Sequence, residues 1–366
     1  SVSVDGVRQD FVVTQRPAGD GSLRVELDVT GARAEALVNG ARLVLDGSRR
    51  KLAYSRLQVL DAGGKALTAR MEVMTDTRLA VLVEDAAATY PVRIDPTFSD
   101  EDWISMGGFP GANGIVYATV VDGSGNLYIG GNFTIVDKVL ANGVAKWNGS
   151  AWSALGAGVS GQVQALAVSG TNLYVGGGFT TAGSISANNL AKWNGSAWSA
   201  LGVGVNSSVK ALAVSDTNLY VGGNFTTAGG GSANGVAKWN GSAWSALGAG
   251  LGNSGYVFAL AVLDTNLFVG GYFTTAGGSS ANYIAKWNGS AWSALGAGLN
   301  GAANALAVSG TNLYVGGGFT TAGSGSAYCL AKWNGSAWSA WASGVNGAVN
   351  ALAVSGSDLY VAGQFT

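Results

Sequence analysis

The stretch Asn172-Leu-Tyr-Val-Gly-Gly-Gly-Phe-Thr180, continued by Asn189-Leu-Ala-Lys-Trp193, Asn194-Gly195 and Ser196-Ala-Trp198-Ser-Ala-Leu201, decides the fold. Preceded by Val163-Gln-Ala-Leu-Ala-Val168, it makes four short apolar runs rich in β-branched and aromatic residues, separated by turn residues. The landmark Tyr174 has equivalents at Tyr128, Tyr220, Phe268, Tyr314 and Tyr360, stepping by 46, 46, 48, 46 and 46 residues. A unit of this length cannot bury its own apolar face, so successive copies must pack on one another. Four antiparallel strands per unit are expected, as in a β-propeller blade. The glycine content and two-residue alternation exclude helical repeats of similar length. Asn-Gly recurs at Asn148, Asn194, Asn240, Asn288 and Asn334 and predicts a tight type I′ hairpin in each unit.

Working outward, the 366 residues divide by composition. Residues 1–103 hold 29 of the 41 charged side chains, whereas 104–366 hold seven Lys, five Asp and neither Arg nor Glu. Alternation in Leu23-Arg-Val-Glu-Leu-Asp-Val29 and a hairpin signal at Asn39-Gly40 predict a β-sandwich-like domain of six to eight strands over 1–100. The fold class is therefore all-β: this small domain, then a propeller of six blades over 101–366. Trp103 reads as a fourth-type strand that latches the last blade, which begins at Val349 and ends after a second strand at Thr366. That blade lacks a third strand. Either it is short, or Tyr90-Pro-Val-Arg-Ile94 inserts there, or the native chain continues. Ser1 is not an initiator, so a processed chain is expected.

The blade sequence resembles propeller repeats of secreted bacterial surface proteins. It is also similar to the extracellular repeats of the fungal cortical polarity marker, and more distantly to kelch-type blades. Tyr90-Pro-Val-Arg-Ile-Asp-Pro96 resembles the end of a β module that precedes repeats in large secreted bacterial proteins. Both resemblances imply an extracellular or cell-surface location, and neither implies a catalytic residue.

Several chemistries lose their residues. Histidine is absent, which removes a galactose-oxidase-like copper site, and the repeats have no Arg to clamp a carboxylate. The repeat acids Asp122, Asp137, Asp216, Asp264 and Asp358 fall in different blades, so paired carboxylates are not expected. No cofactor or metal is expected; Asp122-Gly-Ser-Gly-Asn126 resembles a calcium loop only faintly. A net charge of −1 gives no footprint for nucleic acid, and no apolar run spans a bilayer. The Trp pairs could stack sugars, but their recurrence in every copy fits packing between blades. The five Lys of Ala-Lys-Trp read as outward solubilising residues, and Cys329 as a free thiol.

Variation between copies concentrates at the second-to-third and fourth-to-first connections. The candidate interaction residues are Asn132, Asn224, Tyr256, Tyr272 and Gln364. The expected function is a non-enzymatic extracellular structural or adhesion module with a protein or glycan partner, or self-assembly. The alternative is a multivalent carbohydrate-binding propeller.

Overall fold

In a computed structural model the chain separates into two compact units, Ser1–Gly108 and Phe109–Thr366. The structure describes residues 2–3, 6–8, 11–19, 21–37, 40–46, 51–100, 111–252 and 255–366. The latch expected at Trp103 and the loop residues Asn253 and Ser254 lie outside these. No helix among the described residues is long and apolar enough to cross a membrane.

Among the described residues the first unit has ten strands rather than the expected six to eight, because short strands flank the central one. The strand Val92–Asp100 pairs with Lys51–Leu60 on one side and with Gly6–Arg8 and Phe11–Val13 on the other. Gly40–Leu45 and Ala32–Leu37 extend this sheet. Leu23–Asp28, Arg78–Val83 and Ala69–Thr75 form a second, three-stranded sheet. Val59, Val92 and Ile94 of the first sheet bury against Leu23, Val81 and Val83 of the second. Tyr90-Pro-Val-Arg-Ile94 therefore belongs to this unit, which removes its insertion into the last repeat.

A buried polar node closes one end of the unit. Asp85, 2 % exposed, accepts hydrogen bonds from Tyr90 Oη at 2.6 Å, the Leu23 amide at 3.0 Å and Arg16 Nε at 3.0 Å. Desolvation pushes its carboxyl up, but these three donors outweigh it and hold the group below the usual range. Burial, and then the bond to Asp85, push the Tyr90 phenol up to about 12, so it remains a donor.

The second unit is a row of sheets with one design. The second sheet runs Gln162–Ser169, Asn172–Gly178, Leu190–Trp193 and Trp198–Ala200, all antiparallel in chain order. Five such four-stranded sheets occur among the described residues. A sixth pair, Val349–Ser355 and Asp358–Gly363, has two strands. The second-to-third connection folds into an extra two-stranded hairpin, Thr181–Ala182 with Ile185–Ser186, that the sequence reading missed. Ala182 also bridges Val159 of the preceding fourth-to-first connection, so these two connections share one side.

The turn at Asn194-Gly195 is not type I′. Gly195 has φ +98°, whereas Asn194 stays outside the left-handed region. The Asn194 side chain instead accepts the Ser196 and Ala197 amides at 2.9 and 2.8 Å, closing a four-residue connection between the paired Trp193 and Trp198. This side-chain bonding replaces a second positive φ.

Each core is shared between neighbours. Ala165, Leu190 and Leu201 of the second sheet pack with Val209, Val221 and Phe225 of the third. The two landmark glycines have separate causes. A Cβ on Gly177 would overlap the Gln162 carbonyl oxygen at the bulge in its own sheet. A Cβ on Gly176 would overlap Val209 Cγ1, a side chain of the next sheet that is fully buried. The same knob and socket recur as Val163 on Gly130, Val257 on Gly222 and Val349 on Gly316, with the smaller Ala303 on Gly270. A second tie comes from the fourth strand: Trp198 Nε1 donates to the Leu155 carbonyl of the sheet before, at 2.8 Å. Trp244, Trp292 and Trp338 do the same to Leu201, Leu247 and Leu295.

Gly222→Ala forces a methyl against Val257 and should destabilise the chain by about 1–3 kcal/mol in urea unfolding. Gly318→Ala, with open space around it, should stay within about 0.5 kcal/mol. For Asp85, the lowered carboxyl contributes stability above the unfolded pKa, about 3.9, and loses it as pH falls through the folded value. Asp85→Asn should destabilise the first unit by about 1–3 kcal/mol at neutral pH. It should also flatten the fall in thermal midpoint below about pH 4.

Candidate functional site

Asn132, Asn224, Tyr272 and Gln364 occupy one equivalent position, the last residue of the second strand or the residue just after it. Each faces the start of the first strand across the sheet. Ile115 pairs with Asn132 and Tyr256 with Tyr272, while the Asn224 amide donates to the Ser208 carbonyl at 3.0 Å. The structure thus pairs Tyr256 with Tyr272 directly and places Asn132 and Gln364 in other sheets.

Neighbouring sheets bring these ends together. The position of a Cβ on Gly178 lies 3.2 Å from Ser208 Oγ of the next sheet. The residues equivalent to Gly178 and Ser208 in the third and fourth sheets are Asn224 and Tyr256. Asn224 Oδ1 is occluded and has no hydrogen-bond partner, which leaves an unmatched acceptor at this point.

Two further positions vary, of which the first escaped the sequence reading. One is the bulged residue of the first strand, at which the ladder register shifts: Tyr117, Gln164, Lys210, Phe258, Asn304 and Asn350. Aligning the copies on the Val-x-Ala knob would have exposed it, since its neighbours barely change. The other is the left-handed residue before the third strand: Gly143, Asn189, Gly235, Tyr283 and Cys329, with φ between 60° and 73°. Its carbonyl accepts from the second landmark glycine, as Tyr283 does from Gly271, so only the side chain is free to vary. In the fourth sheet all four variable positions are aromatic. The Tyr272 and Tyr283 rings meet edge-on at 5.7 Å, while Tyr256 and Tyr272 stay 42 % and 57 % exposed.

Other candidates are absorbed by the fold. The Trp193 and Trp198 rings pack at 5.2 Å and the second indole ties two sheets. Lys146 is half-buried with its ammonium 5.7 Å above the Tyr128 ring, so it is not a free outward charge. Asp122 accepts from the Ser124 and Asn126 amides, Asn126 Nδ2 and the Tyr128 hydroxyl. Desolvation raises its carboxyl pKa, but these bonds lower it further, as in a structural turn. Asp137, Asp216 and Asp264 sit at left-handed turn positions in separate sheets. Among the described residues no three potential metal-ligating groups cluster.

The model of the Rax2 C-terminal beta propeller domain matches residues 106–266, less than half of the chain. The chain thus contains β-propeller repeats. No curated protein matches it. Among solved structures it is similar to the computationally designed Ika8 protein, with 15 % identity, TM-score 0.47 and coverage of 93 % of this chain and 96 % of that one. The designed Ika4 protein is similar at 18 % identity, TM-score 0.33 and coverage of 48 % and 92 %.

Because the variable rings are exposed, Tyr256→Ser with Tyr272→Ser should lower stability by no more than about 1.5 kcal/mol, chiefly the lost ring pair. Trp244→Phe, which removes one indole tie, should cost about 1 kcal/mol. Urea titrations of the two variants give the comparison.

Proposed function

We propose that this protein is a non-enzymatic extracellular or cell-surface interaction module, in which the propeller repeats are a rigid scaffold and the variable strand ends engage a partner. One observation carries the reading: the residues that tie sheet to sheet are near-invariant between copies, while diversity collects at one end of the strands. Variable positions on a rigid frame are where recognition is commonly placed. The location rests on the resemblance of the repeats and of Tyr90-Pro-Val-Arg-Ile-Asp-Pro96 to exported proteins. The non-enzymatic reading rests on the repeat acids, with Asp122, Asp137, Asp216 and Asp264 held in separate turns and Asp358 opening a strand of the last sheet.

A glycan partner is the second reading, favoured by the exposed Tyr256 and Tyr272 of the fourth sheet and by the unmatched Asn224 acceptor of the third. Exposed tyrosines offer an apolar ring face together with a polar tip. This makes one local site, rather than equivalent sites built from the tryptophans.

The test applies the labelled full chain to an array of extracellular proteins and to a glycan array, alongside a Tyr256→Ser, Tyr272→Ser, Asn224→Ala variant. The expected result is a signal on one array that drops at least about tenfold in the variant, as loss of about 1.4 kcal/mol or more implies. Wild type silent on both arrays counts against the reading. Labelling of intact source cells by a membrane-impermeant reagent should reach the protein; complete protection would sink the location.

A further inference from the structure

The junction between the fourth and fifth sheets lacks one part that the junctions before it have. The fourth sheet runs from Tyr256–Leu263 to Trp292–Ala294 and the fifth from Ala303–Ser309 to Trp338–Ala340, each with four strands. The knob here is Ala303, fully buried, where the three preceding junctions have the fully buried Val163, Val209 and Val257. The backbone has not closed up around the smaller side chain. Measured to the point where a socket Cβ would stand, the knob Cβ lies at 3.1, 3.0 and 3.0 Å for those valines and at 3.0 Å for Ala303. Nor has a neighbour moved in. Leu306 stands 3.4 Å from that point, while Leu166, Leu212 and Leu260 stand at 3.2, 3.4 and 3.3 Å in the other junctions. The space of two methyl groups is thus left unfilled.

The rest of the junction follows the common plan. Trp338 Nε1 donates to the Leu295 carbonyl at 2.7 Å. Leu295, Leu313 and Phe319 share a core as Leu201, Leu219 and Phe225 do. The deficit is therefore confined to the knob. Unfilled space in a packed interior loses both the transfer free energy and the dispersion contacts of the absent atoms. In a row of stacked sheets stability sums over the junctions, and opening proceeds by cooperative blocks. Such a row divides at its weakest junction.

We propose that the four-stranded sheets part first between the fourth and the fifth, so that this junction is a seam built into the array. The first four sheets then behave as one cooperative block. The fifth cannot bury its apolar face alone, so it loses its amide protection as a unit when the seam opens. This inference is independent of the partner-binding reading, since it concerns the faces shared by two complete sheets rather than the variable strand ends.

The experiment follows amide hydrogen exchange by mass spectrometry in the full chain, as wild type, Ala303→Val, and Ala303→Val with Val257→Ala. The first substitution restores a side chain that the same backbone spacing accommodates at Val257. The second repeats a pairing that the protein tolerates at Ala303; circular dichroism checks the fold of both. In wild type the fifth sheet should exchange at least about tenfold faster than the second, third and fourth, which should exchange together. Ala303→Val should slow the fifth sheet by about tenfold, the effect of two buried methyl groups. Adding Val257→Ala should move the boundary, so that the fourth and fifth sheets exchange together and faster than the second and third. Protection that declines gradually from sheet to sheet overturns the proposal. So does an Ala303→Val variant whose fifth sheet exchanges as fast as in wild type, or a boundary that stays in place when Val257 is truncated.

Discussion

The repeat unit depends on one contact: a valine methyl of one sheet lying where a glycine of the sheet before has no side chain. That contact fixes the distance between neighbouring sheets, since Val209 is fully buried only because Gly176 is bare. Once the spacing is set, Phe225 and Leu201 can enter the shared core, and the Trp244 indole can reach the Leu201 carbonyl at 2.8 Å. Full burial of a side chain such as Phe225 is worth about 1.5–3 kcal/mol. The small socket thus governs contributions larger than its own van der Waals contact.

The glycine that follows it answers to a different constraint. Gly177 makes room for the bulge of its own sheet, and the bulge turns Gln164 out of the ladder. Bulges re-aim side chains at strand ends. The invariant Gly-Gly pair therefore does two tasks, one between sheets and one within a sheet. The second is what gives each copy a bulged position that varies, and there Asn304 Nδ2 donates to the Val349 carbonyl of the next sheet at 3.2 Å.

Much of this was legible in the sequence, because the repeat multiplies a weak strand signal. The landmark at Tyr174 and its equivalents placed the strands, and the recurrence of Trp193 and Trp198 marked them as packing residues. What could not be read followed from short-range geometry. The Asn194 side chain closes its own turn, so a dipeptide preference for type I′ misled. Thr181–Ala182 and Ile185–Ser186 form a hairpin too short to show periodicity. Of the candidate residues, Tyr256 and Tyr272 pair across one sheet, whereas Asn132, Asn224 and Gln364 lie at the equivalent strand end of other sheets. Tyr283 was read only as a variable place, and Phe258 was hidden because a bulge breaks the two-residue alternation. In the first unit, the alternation of Leu23 to Val29 foretold a half-buried strand, but nothing local announced that Asp85 would gather Arg16, Leu23 and Tyr90.

Each four-stranded sheet brings its own glycine socket on one side and a valine or alanine knob on the other, in units of 46 residues with one of 48. Gain or loss of a whole 46-residue copy by unequal exchange between near-identical gene segments would leave every junction chemically intact. The array can thus change length without relearning how to fold, as one-dimensional repeat proteins do. During folding the same sameness has the opposite effect. A strand would find nearly the same socket one copy away, and differences such as Ala303 for valine are what distinguish one junction from the next.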